Sequence, residues 1–339
     1  MPKKSEYRHA WPVATAAARC DGSLNQNESC VMFLVCGEAL MDVFAVGSTA
    51  AGMTLDARVG GSPFNTAVGL ARLAQPVAFF SAVSRDFLGE RLVHALAAEG
   101  VDTSTVQRID APTTLGLVGV DARGVPSYSF YGHGCADRLL PIDALASLPQ
   151  GLRAIHLGSF ATVVDPTAST LRALVEREHG RTLIAYDPNI RLNVEPDLGR
   201  WKDMLQWMLT RTDLLKISEE DLQLLLPGVA PEEFARQALG RGVTLAVVTR
   251  GGEGVVACTP NASATVPTIP VEVIDTVGAG DTFQAALLTW MAEHDALSVP
   301  ALAALSGADL ELALGFAARA AAITCSRRGA DMPRRSELD

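Results

Sequence analysis

The stretch DTVGAGDTFQAALLTWM, residues 275–291, joins a glycine-rich turn to an apolar helix. Phe283, Ala286, Leu287, Trp290 and Met291 recur at helical spacing, so one face of that helix is buried. The run before it, VEVIDTV (271–277), reads as a strand. A strand, a tight turn and a helix in that order predict an α/β unit, with Gly278, Ala279 and Gly280 at the helix N-terminus. Unpaired backbone N–H groups and the positive end of the helix dipole make such a turn an anion site that needs no side chain. It is not a Walker A loop, because G-x-x-x-x-G-K-[ST] occurs nowhere in the chain. Nor is it G-x-G-x-x-G, because Phe283 stands at the third glycine position.

Asp281 is the odd residue in this turn, since a carboxylate beside a phosphate nest repels the phosphate. It has two readings: an acid stabilised at a helix start by the dipole, or a general base. The base would take a proton from an attacking hydroxyl while the neighbouring amides stabilise a transferring phosphoryl group.

Outward from this unit the chain alternates strand and helix. VMFLVC (31–36) is a short apolar run that suits a strand buried on both faces. GGSPFNTAVGLARLA (60–74) turns from glycines into a helix starting near Ser62 or Pro63. VAFFSAVS (77–84) reads as the next strand, and FLGERLVHALAAEG as a helix closed by Gly100. Later units repeat the pattern, which implies a parallel sheet. Two helices are expected to close the chain. Thr113–Gly132 breaks the alternation with two β-rich runs around Asp121–Gly124, a hairpin with Tyr128 and Phe130 on one face. One α/β domain with a small β-sheet lid, its segments near 43–59 and 111–132, fits better than two domains. Residues 1–30 are polar and weakly patterned and read as a disordered extension, leaving 31–335 as the folded domain.

Composition narrows the function. Of 339 residues, 48% are hydrophobic and 19% charged, consistent with a large core, and a net charge of −10 argues against a general nucleic-acid binder. The six cysteines show no C-x-x-C pairing and the six histidines no H-E-x-x-H, so neither a disulfide framework nor a zinc site is readable. No run reaches the ~18 apolar residues of a membrane span. With no export signal in view, the cytoplasm is the expected compartment. Lysine is scarce: Lys3, Lys4, Lys202 and Lys216 are the whole set, so phosphate binding must lean on arginine and backbone amides.

Four further constellations carry chemistry. Asp42 follows the first strand, and with Gly60, Gly61 and Asn65 it suggests a polyol site: glycines for close approach, Asp and Asn for vicinal hydroxyls. Each of these alone reads equally as a turn or cap residue. In DPNIR (187–191), Asn189 and Arg191 follow a strand; the motif is either a Pro-directed turn or a contact to phosphate or substrate oxygens. KISEED (216–221) places acids in a first helical turn, as dipole partners or as carboxylates for a hydrated magnesium. TRGGEG (249–254) is a hairpin turn or a backbone contact to a nucleotide.

Together these residues resemble the ribokinase-like (PfkB-type) carbohydrate kinases from about Val31 to Pro333, and among them most resemble bacterial fructokinases through YDPNIR, KISEEDL and CSRRGADMP. The resemblance implies a doubly wound, mostly parallel α/β fold with a β-sheet lid. It implies Asp281 as base and Gly278, Ala279 and Gly280 as anion hole. Asp42, Gly60, Gly61, Asn65 and Arg191 would hold the sugar, with Phe130 covering it. Asn189, Lys216, Ser218, Thr249, Arg250, Gly251 and Gly254 would serve ATP. Asp221 or Glu220 would serve Mg2+ through water, and Asp275 and Val277 would offer oxygens to a monovalent cation such as K+. Lids of this kind pair in homodimers. Two positions depart from the family pattern: its N-x-x-E stands here as Ser218-x-x-Asp221, and Ala318 replaces an Asn near the adenine. Fructose is the expected substrate, ahead of 2-keto-3-deoxygluconate and ribose. The rival classes are a nicotinamide oxidoreductase, which lacks its third glycine, and a catalytically inactive sugar-binding regulator, in which a retained Asp281 is unexpected.

Overall fold

The computed structural model describes residues 32–120 and 126–338. The expected disorder of residues 1–30, the turn at Asp121–Gly124 and the side chain of Tyr128 lie outside the described residues.

β1 (Met32–Cys36) sends Phe33 and Val35 into one apolar layer and Leu34 and Cys36 into the other. A strand covered on both faces needs this continuous apolar run. β2 (Leu40–Thr49) and β3 (Gly52–Gly60) then leave as an antiparallel pair, and α1 (Ser62–Arg72) returns the chain to β4 (Val77–Phe80), parallel to β1. VAFFSAVS is two strands rather than one. After Phe80 the Ser81 carbonyl accepts the Gln107 N–H at 2.8 Å, so β5 (Ala82–Ser84) pairs instead with β6 (Gln107–Ile109), beyond α2 (Phe87–Ala98). β7 (Leu115–Val120) and β8 (Pro126–Tyr131) form the expected antiparallel hairpin.

Strand–helix units follow: β9 (Leu152–Gly158), α3 (Thr167–Glu178), β10 (Leu183–Asp187), α4 (Leu198–Met208), β11 (Leu214–Ser218), α5 (Glu219–Leu225), α6 (Pro231–Leu239) and β12 (Leu245–Thr249). β13 (Val255–Cys258) and β14 (Ser263–Val266) close the sheet antiparallel. The main sheet runs β14-β13-β12-β11-β10-β9-β1-β4, parallel from β12 to β4, and a separate small sheet runs β3-β2-β7-β8. α1, α2 and the late helices share one apolar layer, and α3 to α6 share the other, so the sheet is doubly wound.

The run 271–277 is a loop, not a strand. Pro267 and Pro270 cannot donate to a ladder, and the Ile274 and Asp275 N–H groups both donate to the Cys325 carbonyl, at 2.9 and 3.2 Å. Val273 and Ile274 stay 60% and 59% exposed. Three helices close the chain instead of two: α7 (Ala279–Glu293), α8 (Val299–Ala304) and α9 (Gly307–Cys325), the last started by a Ser306–Asp309 capping box.

The chain moves from β1 to β4 on one side and to β9 on the other. The carboxyl ends of β1 and β9 therefore flank a crevice, where open α/β sheets receive ligands.

Candidate active site

Asp281 lies in the first turn of α7 and is 8% exposed. Ser62 Oγ donates to its Oδ1 at 2.7 Å, and Asn65 Nδ2 donates to its Oδ2 at 2.9 Å. Both donors come from the start of α1, which packs so closely on α7 that a Cβ at Gly69 would lie 2.7 Å from the Ala285 Cβ. Burial raises the pKa of Asp281 above the ordinary carboxylate value. The two hydrogen bonds, then Lys216 and Arg191, act in the opposite direction.

The glycines before α1 make room. Gly61 has φ +109°, and a Cβ there would stand 2.7 Å from the Glu38 carbonyl oxygen. A Cβ at Gly60 would fall 2.3 Å from Asp42 Oδ2. Asp42 is in register with Gly116, and Gly116 with Phe130, so the three form one row across the small sheet. A Cβ at Gly116 would stand 2.9 Å from Asp42 Oδ1 and 3.4 Å from the Phe130 ring. The Asp42 carboxylate thus sits in a gap kept by two glycines. Burial, with the charge of Asp281 adding, pushes its pKa to about 6 against the pull of Arg191.

On the anion side, Gly278 adopts φ +77°, and a Cβ there would lie 2.5 Å from the Ala330 Cβ. The Ala279 N–H is occupied by the Thr276 carbonyl at 3.2 Å. The amides of Gly278, Gly280 and Asp281 find no acceptor among the described residues, so the open donors include the N–H of Asp281 in place of that of Ala279. Lys216 adds a cation: a Cβ at Gly280 would be 3.2 Å from its Nζ. That ammonium forms a buried ion pair with Asp187 Oδ2 at 2.6 Å, while Asp187 Oδ1 has no hydrogen-bond partner.

Asp221 joins the same cluster. Its Oδ1 accepts the Ile190 N–H at 3.2 Å, and Ser218 Oγ caps the helix by accepting the Asp221 N–H at 3.0 Å. Burial first, then the Asp187 charge, pushes its pKa to about 6. Glu220 does not join it: its side chain is exposed and makes no hydrogen bond or ion pair among the described residues. Helical rotation of about 100° per residue turns it away from Asp221. Asn189 holds φ +41°, a left-handed turn that Asn tolerates. Arg191 is exposed, donates to the Ile190 carbonyl at 2.9 Å, and acts electrostatically on Glu38, Asp42, Asp221 and Asp281.

Ser218 and Thr249 are registered neighbours at the ends of β11 and β12. The following loop needs its glycines: Gly251 has φ +52° and Gly254 φ +94°, where a Cβ would meet the Val266 carbonyl oxygen at 2.2 Å. The Arg250 side chain is engaged with the Glu253 carbonyl at 3.1 Å and faces Glu232 at 3.9 Å, leaving backbone as the edge of this loop. The Asp275 carboxylate accepts the Val277 N–H at 3.1 Å and the Gly329 N–H at 2.8 Å. It ties two loops together, and the Asp275 and Val277 carbonyls accept no backbone hydrogen bond among the described residues. Among the described residues no group of three or more His, Cys, Asp or Glu side chains is placed to hold a metal ion.

Four buried polar residues of this region did not stand out in the sequence: Ser62, Asp187, Glu38 and Asp137. The signal for Glu38 was an acid just past Gly37, between the apolar run of β1 and that of β2. It is 1% exposed, and burial pushes its carboxyl to about 7, against a hydrogen bond with Ser159 across the β1–β9 crevice. Asp137, to which Thr114 Oγ1 donates at 2.6 Å, is pushed by burial to about 6. Glu38 Oε2 and Asp137 Oδ2 both lack partners.

A carboxyl with a raised folded-state pKa stabilises the fold fully below its unfolded pKa and loses that contribution as pH rises through the folded value. For Glu38 the window runs from 4.5 to about 7, worth about 3 kcal/mol at ~1.4 kcal/mol per pKa unit. Glu38→Gln is therefore expected to match the parent at pH 4 and to exceed it by about that amount at pH 8 in urea unfolding. An equal decline in both proteins would clear Glu38 of this role.

Residues 32–336 match the family model described as pfkB family carbohydrate kinase. The chain is 35% identical over 274 residues to a fructokinase of Rhizobium leguminosarum bv. trifolii, covering 81% of this chain and 84% of that one. The crystal structure of a Xylella fastidiosa fructokinase with bound ATP superposes with a TM-score of 0.81 at 29% identity, over 91% of this chain and 96% of that one. A double mutant of a Vibrio cholerae fructokinase, bound to fructose, ADP and potassium ion, superposes with a TM-score of 0.77 at 26% identity, over 91% and 97%.

Proposed function

Because this chain belongs to the pfkB family of carbohydrate kinases, we propose that it is an ATP-dependent fructokinase, moving the γ-phosphoryl group of ATP to the 6-hydroxyl of D-fructose. The observation that carries the reading is the placement of Asp281: a buried carboxylate aimed by Ser62 and Asn65, beside open amides at a helix N-terminus. Asp281 takes the hydroxyl proton as the sugar oxygen attacks the γ-phosphorus, and the bond to the bridging oxygen of ADP breaks. The amides of Gly278, Gly280 and Asp281, with the Lys216 ammonium behind them, stabilise charge on the moving group.

Asp42 accepts sugar hydroxyls in its gap between Gly60 and Gly116, with Gly61 and Asn65 beside it, and the small sheet acts as a lid that lays Phe130 over the sugar. ATP runs along Asn189, Ser218, Thr249, Gly251 and Gly254. Asp221 and the partnerless Asp187 Oδ1 fit a hydrated magnesium, which is usually held by one or two carboxylates plus substrate phosphates. When bound, such an ion would supply positive charge to the transferring phosphates. The Asp275 and Val277 carbonyls fit a monovalent cation. Arg191 answers to Glu38, Asp42, Asp221 and Asp281 at once, and a sugar acid would bring its carboxylate into that acidic field. This favours a neutral sugar over 2-keto-3-deoxygluconate.

Val46, Met53 and Leu55 are exposed on the small sheet and supply the apolar surface for a homodimer. No helix among the described residues is long and apolar enough to cross a membrane, and the cytoplasm, where ATP is plentiful, is the compartment we assign.

A coupled assay of ADP release across fructose, 2-keto-3-deoxygluconate and ribose tests the reading. Fructose is expected to lead in kcat/KM by at least about tenfold, a transition-state difference of about 1.4 kcal/mol. No turnover on any of them would return the protein to the class of sugar-binding regulators. Gly60→Ala tests the gap: its methyl displaces the Asp42 carboxylate, and crowding of about 1–3 kcal/mol predicts a KM for fructose raised about tenfold. An unchanged KM would remove Asp42 from the sugar site.

A further inference from the structure

A second cleft, of about 410 Å³, lies between α1 and α2 and is walled by the end of β3 and by the loop after α9. That volume is in the range of small-metabolite sites, ~300–1,000 Å³. Of the residues assigned above to sugar, phosphate or nucleotide, Asn65 alone lines it. The other charged walls are four arginines, Arg58, Arg72, Arg91 and Arg328, and two carboxylates, Glu99 and Asp331, with His94 beside them. Arg58 is paired with Asp56 at 2.7 Å, and Arg72 is held by Glu99 at 2.6 Å and Asp331 at 2.9 Å. Arg91 and Arg328 are exposed at the cleft and have no carboxylate partner among the described residues. In a chain of net charge −10, in which acids outnumber Lys and Arg 38 to 28, two guanidinium groups left unpaired at one cavity are free for an external anion. The guanidinium fork matches phosphate oxygens two at a time. Val68, Ala95 and Ala98 give the same cleft an apolar wall.

We propose that this cleft is a second, non-catalytic site for a phosphate-bearing metabolite, with Arg91 and Arg328 as its phosphate ligands. The cleft is also placed to bias the catalytic centre. Arg328 sits in the loop whose Ala330 abuts Gly278 of the anion turn, and whose Gly329 N–H holds Asp275. Asn65, in the opposite wall, donates to the Asp281 carboxylate. A ligand that draws this loop toward α2 therefore acts on both the open amides and the base. The ligand is an effector that turnover does not consume, and no bond is made or broken in the cleft.

Calorimetric titration of the full-length protein at saturating fructose, which keeps sugar esters out of the sugar site, tests the proposal. Fructose 6-phosphate is the probe in one arm and inorganic phosphate in the other. Fructose 6-phosphate is expected to bind, and at least about tenfold more weakly to an Arg91→Glu/Arg328→Glu double variant, given the strength of charge-assisted pairs. An Arg91→Gln/Arg328→Gln variant should weaken it less. Both variants should keep initial-rate kcat and KM for fructose within about twofold when no inorganic phosphate or sugar phosphate is added, which also reports their folding. Equal binding of inorganic phosphate would identify the phosphate group as the whole ligand, and preference for the ester would identify a sugar phosphate; either supports the site. No saturable binding to the parent protein, or undiminished binding to both double variants, overturns it. The binding arm reads heat rather than turnover, so a protein that fails the sugar panel can still pass or fail here.

Discussion

Replacing Asp281 with alanine is expected to lower turnover on fructose at least about a hundredfold, the usual scale for a general base, while KM for fructose changes much less. The split follows from the geometry. In the proposed reaction Asp281 serves the reacting hydroxyl, whereas the other hydroxyls enter the gap around Asp42, which Gly60 and Gly116 keep open. Ser62 and Asn65 already donate to both Asp281 oxygens, so the carboxylate is aimed before substrate arrives. Its pKa is raised by burial, so activity should fall on the acid side as the base takes up a proton, and the alanine variant should lose that acid limb. Steady-state rates across pH measure both effects. Near-normal turnover in the variant, or an unchanged acid limb in its residual activity, would take the role of base from Asp281.

Replacing Lys216 with methionine should damage both the fold and the reaction. Lys216 and Asp187 form an ion pair whose side chains are only 5% and 3% exposed. Removing one partner leaves the other charge buried and unanswered, a cost of about 3–5 kcal/mol. The same substitution removes the cation that stands against Gly280. The double variant Lys216→Met/Asp187→Asn separates these consequences. It leaves neither member of the pair charged, so it should recover most of the stability lost in urea unfolding, but its turnover should stay at least about tenfold below the parent's and below that of Asp187→Asn alone, which keeps the cation. Recovery of turnover along with stability would make Lys216 a structural residue only.

What the sequence made legible was local. β1, α1 and the β7–β8 hairpin follow from apolar periodicity and punctuation, because a strand or helix face is written in consecutive residues. The glycines at 60, 61, 278 and 254 were equally visible, since a backbone that must pass close to something else tolerates no side chain. What was not legible depends on partners far along the chain. The run 271–277 has strand-like residues but no neighbouring strand, and its amides go to Cys325 instead. β5 leaves β4 because Gln107 captures the Ser81 carbonyl. Ser62 looked like a first-turn residue of α1, yet its hydroxyl serves a carboxylate on another helix. Lys216 was noticed for its rarity, whereas its pairing with Asp187 exists only because β10 and β11 lie side by side. Glu220 and Asp221 were equal candidates in sequence; the turn of α5 alone separates them.

The hydrogen bond between Ser62 and Asp281 spans 219 positions of chain. During synthesis, at about 5–20 residues per second, the segment that forms the glycine gap leaves the ribosome many seconds before Asp281. A nascent chain therefore holds the residues of the glycine gap while the carboxylate that Ser62 and Asn65 serve is still unmade. α1 meanwhile waits with its face for α7 uncovered, a stretch of apolar surface that a chaperone could recognise. A product truncated anywhere before α7 lacks Asp281 and with it the carboxylate that Ser62 and Asn65 are placed to hold.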